Sequence, residues 1–403
     1  MGAAASVDHL PQLSLEEKEA VLDNVCTLRK LAEYIKEGKA KKICFCTGAG
    51  ISVSAGIPDF RTKGTGLYDN LQKYDLPTPE SIFDYSYFCD DPTPFYDLSR
   101  DLLPSNFKPT PVHYFIKLME NKGLLLRCYT QNIDTLEQQA GVSAERVIEA
   151  HGSFATATCT KCNAKYSQEY YRDRVVNCTD GVTNANGEKI PWCRCISEIT
   201  EEESGEVKQC KGNIKPDIVF FGENLPSRFF DNRKQDLLEC DLLIIAGTSL
   251  KVTPFAHTVN FCNPKAPRVL INNEVVGISD DPNDFGLELN MPRNYRDVGF
   301  IGSCDEGILL LADLVGWKDE LVSLILSDDP EWSCPNFSLQ DEVLDKNFRT
   351  LIDENERKKG TGQNVGLQLG KILDDKLNNL IQIQDELKEA QSMIDALDID
   401  KMQ

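Results

Sequence analysis

The strongest constraint on the fold of this chain is a set of short, continuously apolar runs that are separated by helical patterns. Continuous runs differ from the alternating pattern of half-exposed strands and are typical of strands that are covered on both faces. Helical patterns lie between many of the runs, for example at 110–121 and 228–238. Alternation of strand and helix predicts a Rossmann-like α/β fold with a doubly wound parallel sheet. The predicted strands are 43–47, 124–130, 146–149, 217–221, 242–247 and 268–272.

Two segments interrupt the alternation of strand and helix. Residues 152–215 are polar and carry several cysteines, which predicts a small inserted module. Residues 62–111 are rich in aromatic residues and prolines, which predicts a cap of loops and helices over a site. The predicted segments are an N-terminal segment at 1–23, a main domain at 24–320, a linker region at 321–366 and a helical tail at 367–403.

Charge and cysteine content limit the partners and the compartment. The formal net charge of −21 repels phosphates, so direct nucleic-acid binding is disfavoured, whereas a lysine-rich peptide is a compatible partner. No apolar run approaches the roughly 18 residues that a membrane-spanning helix needs, and no secretory leader is evident. The 15 cysteines are odd in number and scattered, which predicts thiols or metal ligands in a reducing compartment. We therefore expect a cytoplasmic protein, with nuclear and membrane-associated pools left open.

A glycine-bearing turn follows the first predicted strand. Gly48, Ala49 and Gly50 precede Ser52, and small residues after a buried strand let the backbone approach a pyrophosphate. The third glycine of the G-x-G-x-x-G pattern is replaced by Val53, and no acidic residue ends a second strand about 20 residues further on. Taken alone, this turn leaves open both nucleotide binding and a plain tight turn.

Five longer motifs are far more specific than this turn. They are 48–61 (GAGISVSAGIPDFR), 130–136 (TQNIDTL), 149–152 (EAHG), 215–223 (KPDIVFFGE) and 247–250 (GTSL). In this order and at this spacing they resemble the signature motifs of the sirtuin family, most of all the sirtuin-2-type branch of class I. The resemblance covers roughly 24–318, about three quarters of the chain. It implies an NAD-dependent protein lysine deacetylase, or a deacylase of longer chains, with a zinc-ribbon module.

The resemblance implies a reaction in which the bond between nicotinamide and ribose breaks and the acyl oxygen of the modified lysine captures the ribose carbon. Asn132 and Asp134 match the pair that holds the carboxamide through complementary donors and acceptors. Phe60 matches the residue that shields the reactive carbon. His151 matches the general base. A histidine suits this role, because its ordinary pKa lies near neutrality and lets it accept a ribose hydroxyl proton. The acyl group then passes to ADP-ribose.

The remaining cofactor contacts that the resemblance implies lie on several loops. Ser52 and Arg61 match the phosphate contacts, arginine being a natural partner of phosphate. Asn272 and Glu274 close what we expect to be the last strand of the sheet and match the adenosine ribose contacts. Cys304 matches the adenine contact. The implied NAD-binding residues are Gly48, Ala49, Gly50, Ser52, Ile57, Asp59, Phe60, Arg61, Gln131, Asn132, Ile133, Asp134, His151, Gly247, Thr248, Ser249, Asn272, Glu274 and Cys304.

Two segments, 219–223 and 252–256, match those between which sirtuins bind a substrate peptide as an added strand. Aromatic residues match the wall of an apolar acyl tunnel. This tunnel has no evident arginine to pair with an acidic acyl group, which favours acetyl or fatty acyl groups. The implied substrate-binding residues are Phe60, Tyr68, Phe83, Phe95, Val219, Phe220, Phe221, Gly222, Glu223, Val252 and Pro254.

The predicted zinc site departs from the spacing of the family. Cys159 and Cys162 form one C-x-x-C knuckle, and Cys210 fits the fourth ligand of a structural four-thiolate site. The residue expected to be the third ligand, three positions before Cys210, is a valine. Cys193 and Cys195 are the main candidates, with Cys178 as a remote third option, and Cys193 is preferred because Pro-Trp before it resembles the usual lead-in. Residues 194–209 are then an insertion inside the knuckle, which costs little loop-closure entropy.

Both ends of the chain carry patterns outside the family resemblance. The first six residues, MGAAAS, fit N-myristoylation at Gly2, with simple removal of Met1 as the alternative. One myristoyl chain supports only weak membrane association. The last predicted helix, 367–403, places aliphatic residues at heptad-type spacing. It predicts either a short coiled coil for self- or partner association or an amphipathic helix packed on the main domain.

Three functions are compatible with these patterns. The first is a lysine deacylase, and the second is a protein ADP-ribosyltransferase that uses the same NAD chemistry on another acceptor. The third is an NAD-binding scaffold without catalysis that recruits partners through its tail. His151 together with an apolar tunnel favours the first.

Overall fold

The computed structural model describes residues 11–60, 66–103, 107–183, 189–200, 206–278, 286–289 and 291–334. The strands in this part of the chain are β1 (Ile43–Thr47), β2 (Leu125–Thr130), β3 (Val147–Glu149), β4 (Gly152–Cys159), β5 (Lys165–Ser167), β6 (Val182–Thr183), β7 (Lys189–Ile190), β8 (Glu198–Thr200), β9 (Val207–Gln209), β10 (Ile214–Ile218), β11 (Leu242–Ala246), β12 (Arg268–Asn272) and β13 (Asp297–Ile301). The α-helices are α1 (Leu15–Leu22), α2 (Leu28–Lys36), α3 (Tyr85–Asp90), α4 (Thr93–Leu102), α5 (Pro111–Asn121), α6 (Leu136–Gln139), α7 (Gln168–Val176), α8 (Ser227–Glu239), α9 (Cys304–Val315) and α10 (Lys318–Asp328).

A six-stranded sheet in the order β13-β12-β11-β1-β2-β3 forms the centre of the molecule. Its neighbouring strands are parallel throughout. All residues of β1, β11 and β12 are buried, as expected for apolar strands that are covered on both faces. The predicted Rossmann-like, doubly wound parallel sheet is therefore confirmed.

Helices cover both faces of this sheet. On one face α2, α5 and α9 pack side by side, and Phe45 of β1 meets Phe115 of α5 edge to face at 6.3 Å. Cys44 points to the other face because successive side chains of a strand alternate. There its thiol lies 3.8 Å from the carbonyl oxygen of Asp236 in α8. None of the described helices is both long and apolar enough to cross a membrane.

The start of α5 shows how local sequence fixes one of these helices. Thr110 is the N-cap residue, and its side chain and that of His113 each accept a hydrogen bond from the other's backbone in a capping box. Pro111 occupies the first turn, where the missing N–H costs nothing. The helix therefore begins at a defined residue, which fixes the position of His113 beside the site described below.

The predicted inserted module is a second, antiparallel sheet in the order β10-β4-β5, with α7 packed on it. Two hairpins, β6-β7 and β8-β9, extend from it. The prediction of a strand at 217–221 in the parallel sheet is wrong. The apolar run reflects burial of Phe220 in the smaller core, where it packs against Phe88 and Phe95.

The sequence patterns also missed an edge strand and part of a helix. β13 pairs with β12, so β12 is not the last strand of the sheet as expected. Its sequence, DVGFI, starts with a charged residue and contains a glycine, which hides the strand pattern. Helix α10 runs past the expected boundary at 320, because Leu321 and Ile325 are buried in the main core.

Candidate functional site

A cavity of about 780 Å³ lies at the carboxyl ends of the central strands. Gly48, Gln131, Thr248 and Asn272 follow or end β1, β2, β11 and β12, and all four line this cavity. From β1 the chain continues to β2 on one side, whereas β11 later joins its other side. Ligands of open parallel sheets bind at such a topological switch point. The cavity is therefore in the place where a dinucleotide binds in this fold.

Three glycines bring the loops after β1 and β11 into direct backbone contact. A Cβ atom at Gly48 would lie 2.8 Å from the carbonyl oxygen of Gly247, and one at Gly50 would lie 2.7 Å from its Cα. Gly247 has a φ of +62° and would collide with Ile51 if it carried a side chain. Only glycine fits at these positions, so both loops present bare backbone to the cavity.

A second cavity of about 340 Å³ adjoins the first and shares Ala49, Phe60, Asn132 and Ile133 with it. Ile57 and Asp134 also line this smaller cavity. Residues predicted to hold the carboxamide and to shield the reactive carbon are thus brought together at one junction.

The polar pair at this junction is held by Ser52. The Ser52 hydroxyl donates to the carboxylate of Asp134 at 2.7 Å and accepts from the side-chain amide of Asn132 at 3.2 Å. The backbone N–H of Leu136 donates to the other oxygen of Asp134 at 3.0 Å. Burial raises the pKa of Asp134, and the hydrogen bonds from Ser52 and Leu136 oppose that shift.

This geometry differs from the expectation that Ser52 contacts phosphate. Ser52 is fully buried, and its hydroxyl is engaged by Asn132 and Asp134. The structure therefore places Ser52 beneath the site, as a support for the pair. The motif resemblance could not reveal this, because a hydroxyl is equally suited to phosphate and to a carboxylate.

His151 lies between β3 and β4, on the wall of the larger cavity. Its Nδ1 atom is 3.1 Å from the carbonyl oxygen of Gln131, and its carbonyl oxygen accepts from the N–H of Val219 at 2.8 Å. A carbonyl can only accept, so Nδ1 carries the ring proton and Nε2 carries the lone pair. This is the tautomer in which a histidine can act as a base at Nε2.

The segment predicted to pair with a peptide is fixed on two sides. Phe221 exchanges backbone hydrogen bonds with the Phe83–Tyr85 stretch at 2.8 and 3.0 Å. Glu223 accepts from the N–H of Phe220 at 2.8 Å and forms an ion pair with the buried ammonium group of Lys215 at 3.0 Å. Val219, Phe220, Phe221, Gly222, Glu223 and Val252 line the larger cavity.

Phe60, Tyr68 and Phe83 form the aromatic wall of the larger cavity, with ring centroids 5.8 to 6.4 Å apart. Phe95 was expected in this wall but is not among the residues that line it. It is buried behind Phe83, at a centroid distance of 5.9 Å, because it belongs to the core of the smaller module.

Other predicted residues divide into those at the cavities and those away from them. Cys304 begins α9, is buried, and has its thiol 3.4 Å from the carbonyl oxygen of Ile271, so it does not line either cavity. Pro254 also lies outside both linings, and Arg61 falls outside the described residues. The predicted residues that line the larger cavity also include Asp59, Gly247, Ser249 and Glu274. Lining residues that were not among the predicted contacts are Ile218, Leu225, Lys251, Thr253 and Asn273, of which Ile218 and Thr253 fall within the quoted segments 215–223 and 252–256.

Four cysteines converge in the antiparallel module. The four sulfur atoms all lie within 4.8 Å of one another, and they belong to Cys159, Cys162, Cys195 and Cys210. Two of these separations, Cys159 to Cys210 and Cys162 to Cys195, are 3.6 and 3.5 Å. Tetrahedral zinc with Zn–S bonds of about 2.3 Å requires S–S separations of about 3.8 Å, so this cluster can hold a structural zinc ion.

The cluster contains Cys195, the alternative third ligand, and does not contain Cys193, which the sequence analysis preferred. The stretch 193–195 runs antiparallel to 212–214, with Cys195 N–H donating to Gly212 and Ile214 N–H donating to Cys193. This register places Cys195 beside the knuckle and Cys193 two residues further away. The insertion between Cys195 and Cys210 contains the β8-β9 hairpin, which closes on itself and brings both cysteines together.

The environment of Cys195 suits a metal ligand. Burial raises its pKa, but hydrogen bonds from Tyr166, from the backbone of Ser197 and from Cys162 outweigh this and lower the pKa of Cys195 to about 6. A thiol with a lowered pKa is readily available as the thiolate that binds zinc.

The parallel sheet, the glycine-lined crevice and the acid–amide pair define an enzyme of the dinucleotide-binding class. Comparison with known proteins narrows this class. Residues 48–254 match the model of the Sir2 family. The chain is 44% identical over 352 residues to "NAD-dependent protein deacetylase sirtuin-2" of Danio rerio, a match that covers 86% of each protein. The chain belongs to the Sir2 family.

Two further relatives show the same similarity. The chain is 49% identical over 315 residues to "NAD-dependent deacetylase sir2A" of Dictyostelium discoideum, which covers 77% of this chain and 57% of that protein. It is 44% identical over 304 residues to "NAD-dependent protein deacetylase hst2" of Schizosaccharomyces pombe, which covers 75% of this chain and 81% of the relative.

Proposed function

We propose that this protein is an NAD-dependent protein lysine deacetylase that transfers the acyl group to ADP-ribose and releases nicotinamide. The observation that carries the proposal is the junction of the two cavities. Asn132 and Ile133 line both, Asp134 lines the smaller and His151 the larger. A carboxamide-holding pair and a general base therefore act on adjoining space. The relatives are named as NAD-dependent deacetylases or NAD-dependent protein deacetylases, which supports the proposal.

The residues of the site fit NAD. The bare backbone of Gly48 and Gly50 suits close approach of the pyrophosphate. Asn132 and Asp134 supply complementary groups for a carboxamide, and Asn272 and Glu274, which end and follow β12 on the wall of the larger cavity, offer polar groups for a ribose. When bound, NAD supplies an electrophilic ribose carbon and a nicotinamide leaving group.

Each residue of the site has a defined task in this reaction. Ser52 holds Asn132 and Asp134 in place, so that they orient the carboxamide without reorganising. Phe60 sits where the two cavities join and excludes water from the reacting carbon. His151, with its proton on Nδ1, accepts a ribose hydroxyl proton at Nε2.

The wall of the larger cavity favours the binding of neutral acyl groups. Phe60, Tyr68 and Phe83 provide apolar surface, and the described lining residues include Lys251 but no arginine that could pair with an acidic acyl group through two hydrogen bonds. Apolar walls bind acetyl or longer fatty acyl groups by burial of hydrocarbon and disfavour acidic acyl groups, whose charge would lose its hydration.

Mass spectrometry of acetyl-lysine and myristoyl-lysine peptides incubated with the protein and NAD tests this function. We expect deacylated peptide, nicotinamide and O-acyl-ADP-ribose in equal amounts. Hydrolysis at full rate without NAD contradicts the proposal. ADP-ribosylated protein without deacylated peptide identifies the ADP-ribosyltransferase instead.

Two sequence predictions bear on where the enzyme acts. Gly2 and the helix at 367–403 lie outside the described residues, so lipidation, weak membrane association and self- or partner association through the tail stay predictions. The cytoplasmic location likewise rests on composition. Acylated lysine in other proteins is the partner that the proposed activity requires.

A further inference from the structure

A buried polar cluster lies directly behind Asp134. One ring nitrogen of His113 and one carboxylate oxygen from each of Asp134 and Glu137 lie within 4.8 Å of one another. His113 comes from the first turn of α5 and Glu137 from α6, and both are buried. Within the described chain, Nε2 of His113 and Oε1 of Glu137 make no hydrogen bond to protein. Buried polar atoms of this kind are costly, so their convergence on Asp134 calls for a role.

The histidine of this cluster is a neutral donor. The backbone N–H of Thr110 donates to Nδ1 of His113 at 3.1 Å, so Nδ1 holds a lone pair. Burial lowers the pKa of His113 to about 3, which keeps the ring neutral with its proton on Nε2. A nitrogen that carries a proton cannot bind a metal, so the cluster is not a metal centre. The Thr110 hydroxyl also donates to the carbonyl oxygen of Ile51 at 2.8 Å, which ties His113 to the loop of Ser52.

The two carboxyl groups of the cluster are unequal. Two carboxylates this close cannot both ionise at low cost, so one retains a proton. Asp134 accepts hydrogen bonds from the Ser52 hydroxyl and the Leu136 N–H, which favour its charged form. Burial and the charge of Asp134 raise the pKa of Glu137 to about 8, against weaker opposing hydrogen bonds from Thr130 and its own N–H. The proton of the pair therefore resides on Glu137 at neutral pH.

We propose that Glu137 is a positioning residue: protonated, and beside the neutral ring of His113, it leaves the Asp134 carboxylate as the single negative charge behind the nicotinamide subsite, in the orientation that Ser52 and Leu136 fix. This inference rests on the proposed function, because the role of Asp134 belongs to it. When Glu137 loses its proton, a second negative charge forms in the same buried cluster as Asp134. The two carboxylates then repel each other, which disturbs the orientation of Asp134, so turnover falls.

Within the described chain, the titratable groups that act most strongly on Glu137 carry no positive charge. They are Asp134 in the preceding loop, His113 of α5, Cys128 of β2 and Glu149 at the end of β3. His113 is neutral, and burial raises the pKa of Cys128 well above its usual value, so it stays a thiol. Of the charged groups, Asp134 has the largest interaction with Glu137, so ionisation of Glu137 acts mainly on Asp134.

The glutamine variant Glu137→Gln tests the proposal, because it mimics the protonated acid at every pH. The exposed Glu145 gives the matched control, Glu145→Gln. We would measure kcat, the KM for NAD and inhibition by nicotinamide for the three proteins across the pH range. Wild-type and Glu145→Gln turnover should fall at least about tenfold between about pH 7 and 9.5, whereas Glu137→Gln should fall less than about threefold.

Thermal unfolding without substrate gives a second readout. In the unfolded chain Glu137 has a pKa near 4.5, and in the folded chain it is about 8. Between these values the folded protein holds a proton that the unfolded chain releases, so stability falls as pH rises through this window. The Tm of wild type minus that of Glu137→Gln should therefore decline from about pH 4.5 to 8 and then level off.

The outcomes separate this inference from the proposed function. The positioning role alone is overturned if the turnover of Glu137→Gln falls at alkaline pH as much as that of wild type. It is also overturned if the difference in Tm between the two proteins does not change with pH. A second metal equivalent that is lost in His113→Ala also overturns it. Absence of NAD-dependent turnover in wild type at every pH refutes the proposed function, and with it the part of Glu137 in the reaction.

Discussion

Nδ1 of His151 lies 3.1 Å from the carbonyl oxygen of Gln131. The side chain of Gln131 donates to the Thr248 hydroxyl at 2.6 Å, so the residue that orients the ring is itself anchored across the cavity. The loops after β2 and β11 thus set both the tautomer and the position of His151. A base that is fixed in this way needs no rearrangement when a hydroxyl arrives.

Replacement of His151 by alanine should leave NAD binding intact and lower turnover by about 10²- to 10⁴-fold, the usual cost of losing a general base. The matched control is His257→Ala, since His257 is exposed and does not line the cavity. Turnover from acetyl-lysine peptide and NAD affinity by calorimetry check this. Near wild-type turnover in His151→Ala contradicts the role of His151 as base.

The zinc site gives a prediction that distinguishes two neighbouring cysteines. Cys195→Ser should lose zinc and with it solubility, because a structural zinc ion ties the knuckle of Cys159 and Cys162 to the segments of Cys195 and Cys210, and its binding contributes folding free energy. Cys193→Ser should keep a full equivalent of zinc, since its sulfur is not part of the cluster. Metal analysis of the two purified variants tests this. Loss of zinc from Cys193→Ser, with zinc retained in Cys195→Ser, reverses the assignment.

The strands that could be predicted from sequence are those whose residues are apolar throughout. β1, β11 and β12 are apolar throughout because both faces are buried, and their patterns marked them correctly. β13 was not predicted, because its first residue, Asp297, is buried through an ion pair with Arg268, a tertiary contact that no local pattern reveals. The apolar run after Asp217 has the same pattern as a central strand, but its residues are buried in the core of the smaller module.

In the site, the residue types could also be predicted from the sequence, whereas the register of paired segments could not. Motif matches placed His151, Asn132 and Gln131 at the cavity, because these residues closely follow β2 or β3 at the edge of the sheet where the cavity lies. The choice between Cys193 and Cys195 depends on the pairing of 193–195 with 212–214. Register of that kind is set by a hairpin insertion, and the spacing of cysteines along the chain does not encode it.

The contact between Gly50 and Gly247 predicts a specific cost for a single methyl group. Gly247→Ala should lose NAD binding and stability, because the new Cβ would collide with Ile51 and force the two loops apart. Gly123→Ala is the matched control: it shares a positive φ, at +71°, but has open space around it. The control should cost about 1–2 kcal/mol of stability and leave NAD affinity unchanged. Equal effects of both variants on NAD affinity would argue against the close approach.

The buried ion pair between β12 and β13 gives the last prediction. Arg268 donates through Nε and Nη2 to the two carboxylate oxygens of Asp297 at 2.7 and 2.6 Å, and both side chains are almost fully buried. Asp297→Asn leaves the Arg268 charge buried without its partner, which should cost about 3–5 kcal/mol in the free energy of unfolding. The exposed Asp231 supplies the control, Asp231→Asn, which should change stability by less than about 0.5 kcal/mol.

The pH dependence of this cost identifies its cause. Burial raises the pKa of Asp297, but the charge and hydrogen bonds of Arg268 outweigh it and hold the pKa below its usual value of 3.8. A group whose pKa is lowered by folding adds stability above its unfolded pKa and loses it as pH falls through the folded value. Denaturant unfolding of wild type and Asp297→Asn should therefore give a constant difference above about pH 5 and a shrinking one below about pH 4. A difference that stays constant down to acid pH would show that the aspartate acts through shape and hydrogen bonding, and not through its charge.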